Sequence, residues 1–92
     1  EAFTAWRRVP LRERAATLSR LADVVEAHSE EWARLMTAEM GKPIAAARAE
    51  IEKCAWVCRY YAEAAPGMLA DHHIEADRSR SYVHHEPLGV VL

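Results

Sequence analysis

Leu11, Ala15, Leu18, Ala22 and Val25 recur at alternating spacings of four and three, which gathers side chains on one helical face. Leu21 widens that stripe, while Arg12, Arg14, Arg20, Asp23 and Glu26 fall largely outside it. The pattern predicts an amphipathic helix over Leu11–Ala27. Pro10 suits its first position, and Glu13 lies in the first turn, where the helix dipole favours an acid. A second helix follows, with Ser29 as its N-cap and Glu30 and Glu31 in its opening turn. Trp32, Leu35 and Met36 form its apolar face, and Glu30 and Arg34 make a favourable i,i+4 pair. It ends at Gly41, a position where positive φ costs glycine least. Pro43 then supplies the fixed φ that suits the start of the next helix.

The third helical pattern runs over Ile44–Ala64. Ile44, Ala47, Ile51, Ala55, Cys58 and Ala62 make a narrow stripe of mostly small residues, which lets a neighbour approach closely. Trp56 and Tyr60 lie on a second face, so this helix should meet two bodies. Arg48–Glu52 and Arg59–Glu63 have the spacing of surface pairs, and Pro66-Gly67 should terminate the helix. Beyond it the period drops towards two. His72–Ala76 and Ser81–Glu86 read as short strands around Asp77-Arg78-Ser79-Arg80. A turn centred on Arg78-Ser79 would set His73 opposite His84 and His72 opposite His85. An isolated ribbon is marginal in water, so it should need a third strand from elsewhere. Val90–Leu92 reads as the opening of a buried strand. An apolar run that stops as it begins, and a start at Glu1 without Met, lead to the expectation of a fragment. Such a fragment should fold poorly alone, its helices formed and its ribbon unpaired.

Composition narrows the partners. The 92 residues carry a net charge of −2, which offers no electrostatic footprint for nucleic acid. No apolar run is long enough to span a bilayer and no secretory segment stands out, so the default reading is a cytoplasmic chain without membrane partner. The fold class expected is an α-rich α+β fragment: three amphipathic helices, then a β-ribbon and the first residues of a strand.

Candidate chemistry is thin. Cys54 and Cys58 share a helix face one turn apart, a spacing that suits neither a disulfide nor a redox motif; they read as small buried residues. His72, His73, His84 and His85 suggest zinc, but only two can share one face of a ribbon and a closed zinc site wants four ligands. Exposed strand positions are the stronger account. Trp32, Trp56, Tyr60 and Tyr61 read as packing, and Glu39, Glu50 and Glu52 as solvated helix acids. Periodicity alone also suits a freestanding helical interaction module.

The wording of the chain carries more than its periodicity. Glu39-Met40-Gly41-Lys42-Pro43, preceded by Leu35-Met36-Thr37, resembles the N-terminal region of aldehyde dehydrogenases. Supporting words are Pro10-Leu11-Arg12-Glu13-Arg14, Ala45-Ala46-Ala47-Arg48-Ala49-Glu50-Ile51, Cys58-Arg59-Tyr60-Tyr61-Ala62-Glu63 and the closing Glu86-Pro87-Leu88-Gly89-Val90-Val91-Leu92. The run from Arg59 to Glu63, with Met68-Leu69-Ala70-Asp71, is most similar to bacterial succinate-semialdehyde dehydrogenases.

The resemblance implies an α/β enzyme that oxidises a small aldehyde to a carboxylate with NAD or NADP. In that family a cysteine thiolate attacks the aldehyde, hydride passes to the nicotinamide, and a glutamate-assisted water releases the acid. Both catalytic groups lie downstream of this segment, so no catalytic, cofactor-binding or metal-binding residue is expected here. Cys54, Cys58 and Lys42 match no catalytic position. By the same resemblance, 1–70 would flank the cofactor-binding domain and 71–87 would belong to the oligomerisation region. Residues 88–92 would open a cofactor-domain strand. The partners implied are the remainder of its own subunit and, through 71–87, further copies of it.

Overall fold

Gly41 governs the middle of the chain. It adopts φ 71° and ψ 18°, the left-handed conformation that caps a helix, and its N–H donates to the Thr37 carbonyl at 2.9 Å. Pro43 follows with φ −53° and ψ 132°, extended at its carbonyl side, so the next helix starts at Ile44 rather than on the proline. Pro10 behaves alike, one residue ahead of its helix. In both places the missing N–H of proline costs no helical hydrogen bond.

The computed structural model describes residues 1–75 and 81–91. In chain order it contains α1 (Ala2–Trp6), α2 (Leu11–Ala27), α3 (Ser29–Met40), α4 (Ile44–Met68), β1 (His72–Ile74) and β2 (Ser81–Val83). α2 matches its expected span. Between α2 and α3 the break is a single residue, His28, at φ −106° and ψ 13°. His28 occupies the N-cap position expected for Ser29, and Ser29 is already helical. The His28 ring turns back, Nδ1 donating to the Val24 carbonyl at 2.9 Å, and stacks on Trp32 at 5.4 Å.

α4 packs along α2 and, over a shorter stretch, along α3. The core is Ala22 and Val25 of α2, Ala33 of α3, and Ala47, Ile51 and Ala55 of α4. Trp32, Met36, Ile44 and Cys58 pack around it half-buried. Four of the six buried residues are alanines, so the helix backbones lie close and the apolar volume between them is small. Leu21 and Leu35, assigned by spacing to apolar faces, are exposed, since among the described residues no element covers their sides of α2 and α3.

α4 also runs on past Pro66 to Met68 instead of ending there. Pro66 removes one backbone donor, yet Leu69 N–H still reaches the Ala65 carbonyl at 3.0 Å and closes the last turn. Gly67 does not take positive φ and so does not act as a left-handed cap.

β1 and β2 pair antiparallel with His72 opposite Val83, His73 opposite Tyr82 and Ile74 opposite Ser81. The strands pair with each other as the ribbon reading expects, and among the described residues no third strand joins them. Both are shorter than expected, and the register is displaced by two residues from the His73–His84 alignment. A shift of two keeps every side chain on its face. It also brings the His73 ring within 5.9 Å of Tyr82. The expected turn residues Asp77–Arg80, with Ala76 and Leu92, lie outside the described residues. Val90 and Val91 are irregular backbone without a strand partner, and Leu88 is 94% exposed. Gly89 bends this segment at φ 112°, beside the Phe3 ring of α1.

Replacing Gly41 by alanine should cost about 1 kcal/mol, because Cβ disfavours left-handed backbone. Ile51→Ala, the one large fully aliphatic core contact of α4, should cost about 2–4 kcal/mol. Both effects are read as lower urea midpoints at unchanged helix content.

Candidate functional site

Two arginines of α4 choose partners on other helices. Arg48 forks onto Glu30 of α3, Nε donating to Oε2 at 2.8 Å and Nη2 to Oε1 at 2.9 Å. Arg34 Nε donates to the same Oε1 at 2.9 Å, as the i,i+4 spacing predicts. Arg59 bridges to α2, Nη1 donating to Glu26 Oε1 at 2.6 Å and Nη2 to Asp23 Oδ1 at 2.8 Å. The Arg48–Glu52 and Arg59–Glu63 pairs expected from spacing are thus replaced. The carboxylates on the facing helices accept bidentate forks, among the stronger contacts an arginine makes. Hydrogen bonds from Arg48 and then Arg34 hold the Glu30 carboxyl down at about 2, from 4.5.

Lys42 pairs with Glu50, tying the Gly41 corner to α4, so this lysine and this carboxylate serve the corner. Glu39 and Glu52 are exposed. Cys54 is exposed and Cys58 half-buried, both free thiols, which corrects the reading of two buried cysteines. Cys54 points away from the α2 seam into a groove of 640 Å³ with Lys53 and Val57.

The histidines of the ribbon separate. His84 Nδ1 meets Asp71 Oδ1 at 2.6 Å and its Nε2 meets Glu86 Oε1 at 3.3 Å. Glu86 in turn accepts from Arg7, the C-cap of α1, at 3.0 Å. Acid and base therefore alternate from Asp71 to Arg7, tying α1 to the ribbon. The hydrogen bond and charge of Asp71, with Glu86 behind it, raise His84 above its ordinary value. His72 and His85 are exposed and His73 lies against Tyr82. Among the described residues no three of His, Cys, Asp and Glu are placed to hold a metal ion.

What the surface offers is apolar area. Trp56 is 63% exposed and stacks on Tyr60 at 5.9 Å, and Tyr61 meets Tyr60 edge-on at 5.1 Å. A second apolar groove, of 550 Å³, lies between α1 and the 87–90 segment. Arg14 lines it, half-buried, although its charge argued for the solvent side. The missed signal is positional: Arg14 stands three residues after Leu11 and four before Leu18, on the apolar stripe itself. The described residues thus leave large apolar side chains exposed on the outer face of α4 and along the groove beside α1.

Residues 1–92 match the aldehyde dehydrogenase family, and the chain belongs to it. It is 47% identical over 92 residues to a probable NADP(+) succinate-semialdehyde dehydrogenase of Synechocystis sp., covering all of this chain and 20% of that protein. A succinate semialdehyde dehydrogenase of Escherichia coli, named for NAD(P)+, is 39% identical over 90 residues, covering 98% of this chain and 20% of its own. The fold is that of a solved succinic semialdehyde dehydrogenase of Streptococcus pyogenes in complex with NADP+. That match has a TM-score of 0.80 and 32% identity over 87% of this chain and 18% of the other. The chain spans about a fifth of the length of these relatives.

Two pH responses follow from the ion pairs. Glu30 is depressed, so its contribution is complete above 4.5 and disappears as pH falls through about 2. The urea midpoints of the parent and Glu30→Gln should differ at neutral pH and converge across that window. His84 is raised, so its contribution is present below 6.5 and lost as pH climbs through its folded value. His84→Gln should remove that alkaline loss from the pH–stability profile.

Proposed function

We propose that this chain is the N-terminal structural segment of an NAD(P)-dependent aldehyde dehydrogenase subunit that oxidises succinate semialdehyde to succinate. One observation carries the reading of a segment. The accessible surface is 7712 Å², where a compact monomer of this mass exposes about 5,400 Å². The radius of gyration of 18.4 Å likewise exceeds the roughly 12 Å of a compact chain this long. Surface of that extent, with Trp56, Tyr60, Leu88 and Val90 exposed, suits a body that other elements cover.

The substrate and cofactor rest on the named relatives. Among the described residues the sheet is a single antiparallel ribbon, with no glycine-rich strand-to-helix turn to receive a dinucleotide. In this reading the cofactor is held by the remainder of the subunit, and no chemical step runs through these residues. In this reading 1–70 flank the cofactor-binding domain, 71–87 join an oligomer interface, and 88–92 enter a strand. The two faces of α4 support the first of these: one packs on α2, and the other leaves Trp56 and Tyr60 exposed. The compartment is the cytoplasm, with neither nucleic acid nor membrane as partner. Among the described residues no helix is long and apolar enough to cross a membrane.

The full-length subunit should reduce NADP+ with succinate semialdehyde, followed by NADPH absorbance, and the 92-residue chain alone should be silent. A full-length product that leaves succinate semialdehyde untouched but oxidises another aldehyde would correct the substrate. One that oxidises none would overturn the enzyme reading in favour of a helical interaction module.

A further inference from the structure

Cys54 and Cys58 stand one turn apart on α4 and line the same groove, of 640 Å³, together with Ala49, Glu50, Lys53 and Val57. Both are free thiols; Cys54 is exposed, and Cys58 is half-buried against the core. In a helix, residues four apart hold their Cβ atoms about 5–6 Å apart. A disulfide requires about 3.5–4.5 Å between Cβ atoms, so this pair is too wide to close on itself. The same gap suits a single atom inserted between the sulfurs. Two metal–thiolate bonds of about 2.3 Å each set the sulfurs about 4.6 Å apart across a linear ion.

The number of ligands selects the ion. A structural zinc closes with four protein ligands, and iron–sulfur clusters with four thiolates. Among the described residues no third His, Cys, Asp or Glu is placed to join the pair. Glu50, the acid on the groove wall, is held by Lys42. Two soft donors without a hard one favour monovalent copper, for which two thiolates suffice. Charge agrees. Each thiol gives up its proton on binding, so two thiolates and one Cu⁺ leave a site with a single negative charge. Lys53, on the same wall, supplies a cation to offset it.

We propose that Cys54 and Cys58 form a two-coordinate thiolate site for monovalent copper on the flank of α4, with Lys53 balancing its charge. The ion displaces two protons, its oxidation state does not change, and no co-reactant is needed. Copper binding is read without aldehyde oxidation, so its failure leaves the proposed function untouched.

The test uses the full-length subunit under anaerobic, reducing conditions, with a chromogenic copper(I) chelator as competitor. The parent should hold one copper(I) more than Cys54→Ser, a change at an exposed position that leaves the fold intact. The loss of affinity at this site should exceed the roughly 100-fold that removal of an outer-shell partner costs. Cys58→Ala, which keeps a small apolar group beside the core, should lose the same equivalent. Equal copper in the parent and Cys54→Ser would overturn the proposal, because the pair would then hold none. Loss in only one of the two variants would also overturn it, by assigning the ion to a lone thiol.

A second measurement needs no variant. Iodoacetamide, followed by peptide mapping of the parent, should alkylate Cys54 readily and Cys58 more slowly. Saturating copper(I) should protect both together, and the chelator should expose both again. A Cys54 that resists iodoacetamide before copper is added would show the groove covered in the subunit. Protection by zinc(II) at the same free concentration would bring in ligands from elsewhere in the subunit and remove the two-coordinate assignment. Either result sinks the proposal.

Discussion

The seam between α2 and α4 is the constraint on which everything else rests. Ala22 and Val25 meet Ala47, Ile51 and Ala55, and alanine makes the meeting close. A close seam gains contact between backbones but buries little hydrocarbon, since each alanine removes far less apolar area from water than a leucine would. The helices therefore need help beyond burial. They receive it at the rims, where Arg59 spans to α2 and Arg48 to α3 with bidentate geometry. Exposed ion pairs contribute modestly to stability, but forks of this kind fix direction. The seam sets how near the helices lie, and the arginines set how they are aligned along it.

The same economy explains why the chain presents so much bare apolar surface. The small side chains spent inside the seam leave the large ones, Trp56, Tyr60, Tyr61 and Leu35, on outer faces. In a self-sufficient domain of this size those residues would be the core. Membership of the aldehyde dehydrogenase family, with coverage of about a fifth of its relatives' length, gives this inversion a simple sense. In the proposed reading, the conspicuous apolar residues belong to contacts with the remainder of the subunit.

Legibility followed locality. α2, the Gly41 corner and the buried stripe of α4 were readable because each depends on neighbours within a turn or two. Arg48 and Arg59 were not, because their partners lie 18 to 36 residues away and helical spacing offers nearer acids that geometry declines. Strand length was overestimated for a related reason: alternation marks what a strand would do, while a partner strand decides where it stops. Cys54 was misplaced because its residue type, rather than its position beside the stripe, guided the assignment. Arg14 was the reverse case, a stripe position disguised by charge. The family was legible from short words such as Glu-Met-Gly-Lys-Pro.

Pro66 has a mechanical consequence. By withholding its N–H it deprives the Ala62 carbonyl of its usual donor, one turn before α4 gives way to the ribbon. Tension applied through the ribbon would reach the helix at this thinned rung first. The final turn can then yield while the seam upstream, anchored at Ala47, Ile51 and Ala55, stays shut. The backbone ladder of α4 is therefore weakest beside the ribbon and intact along the seam.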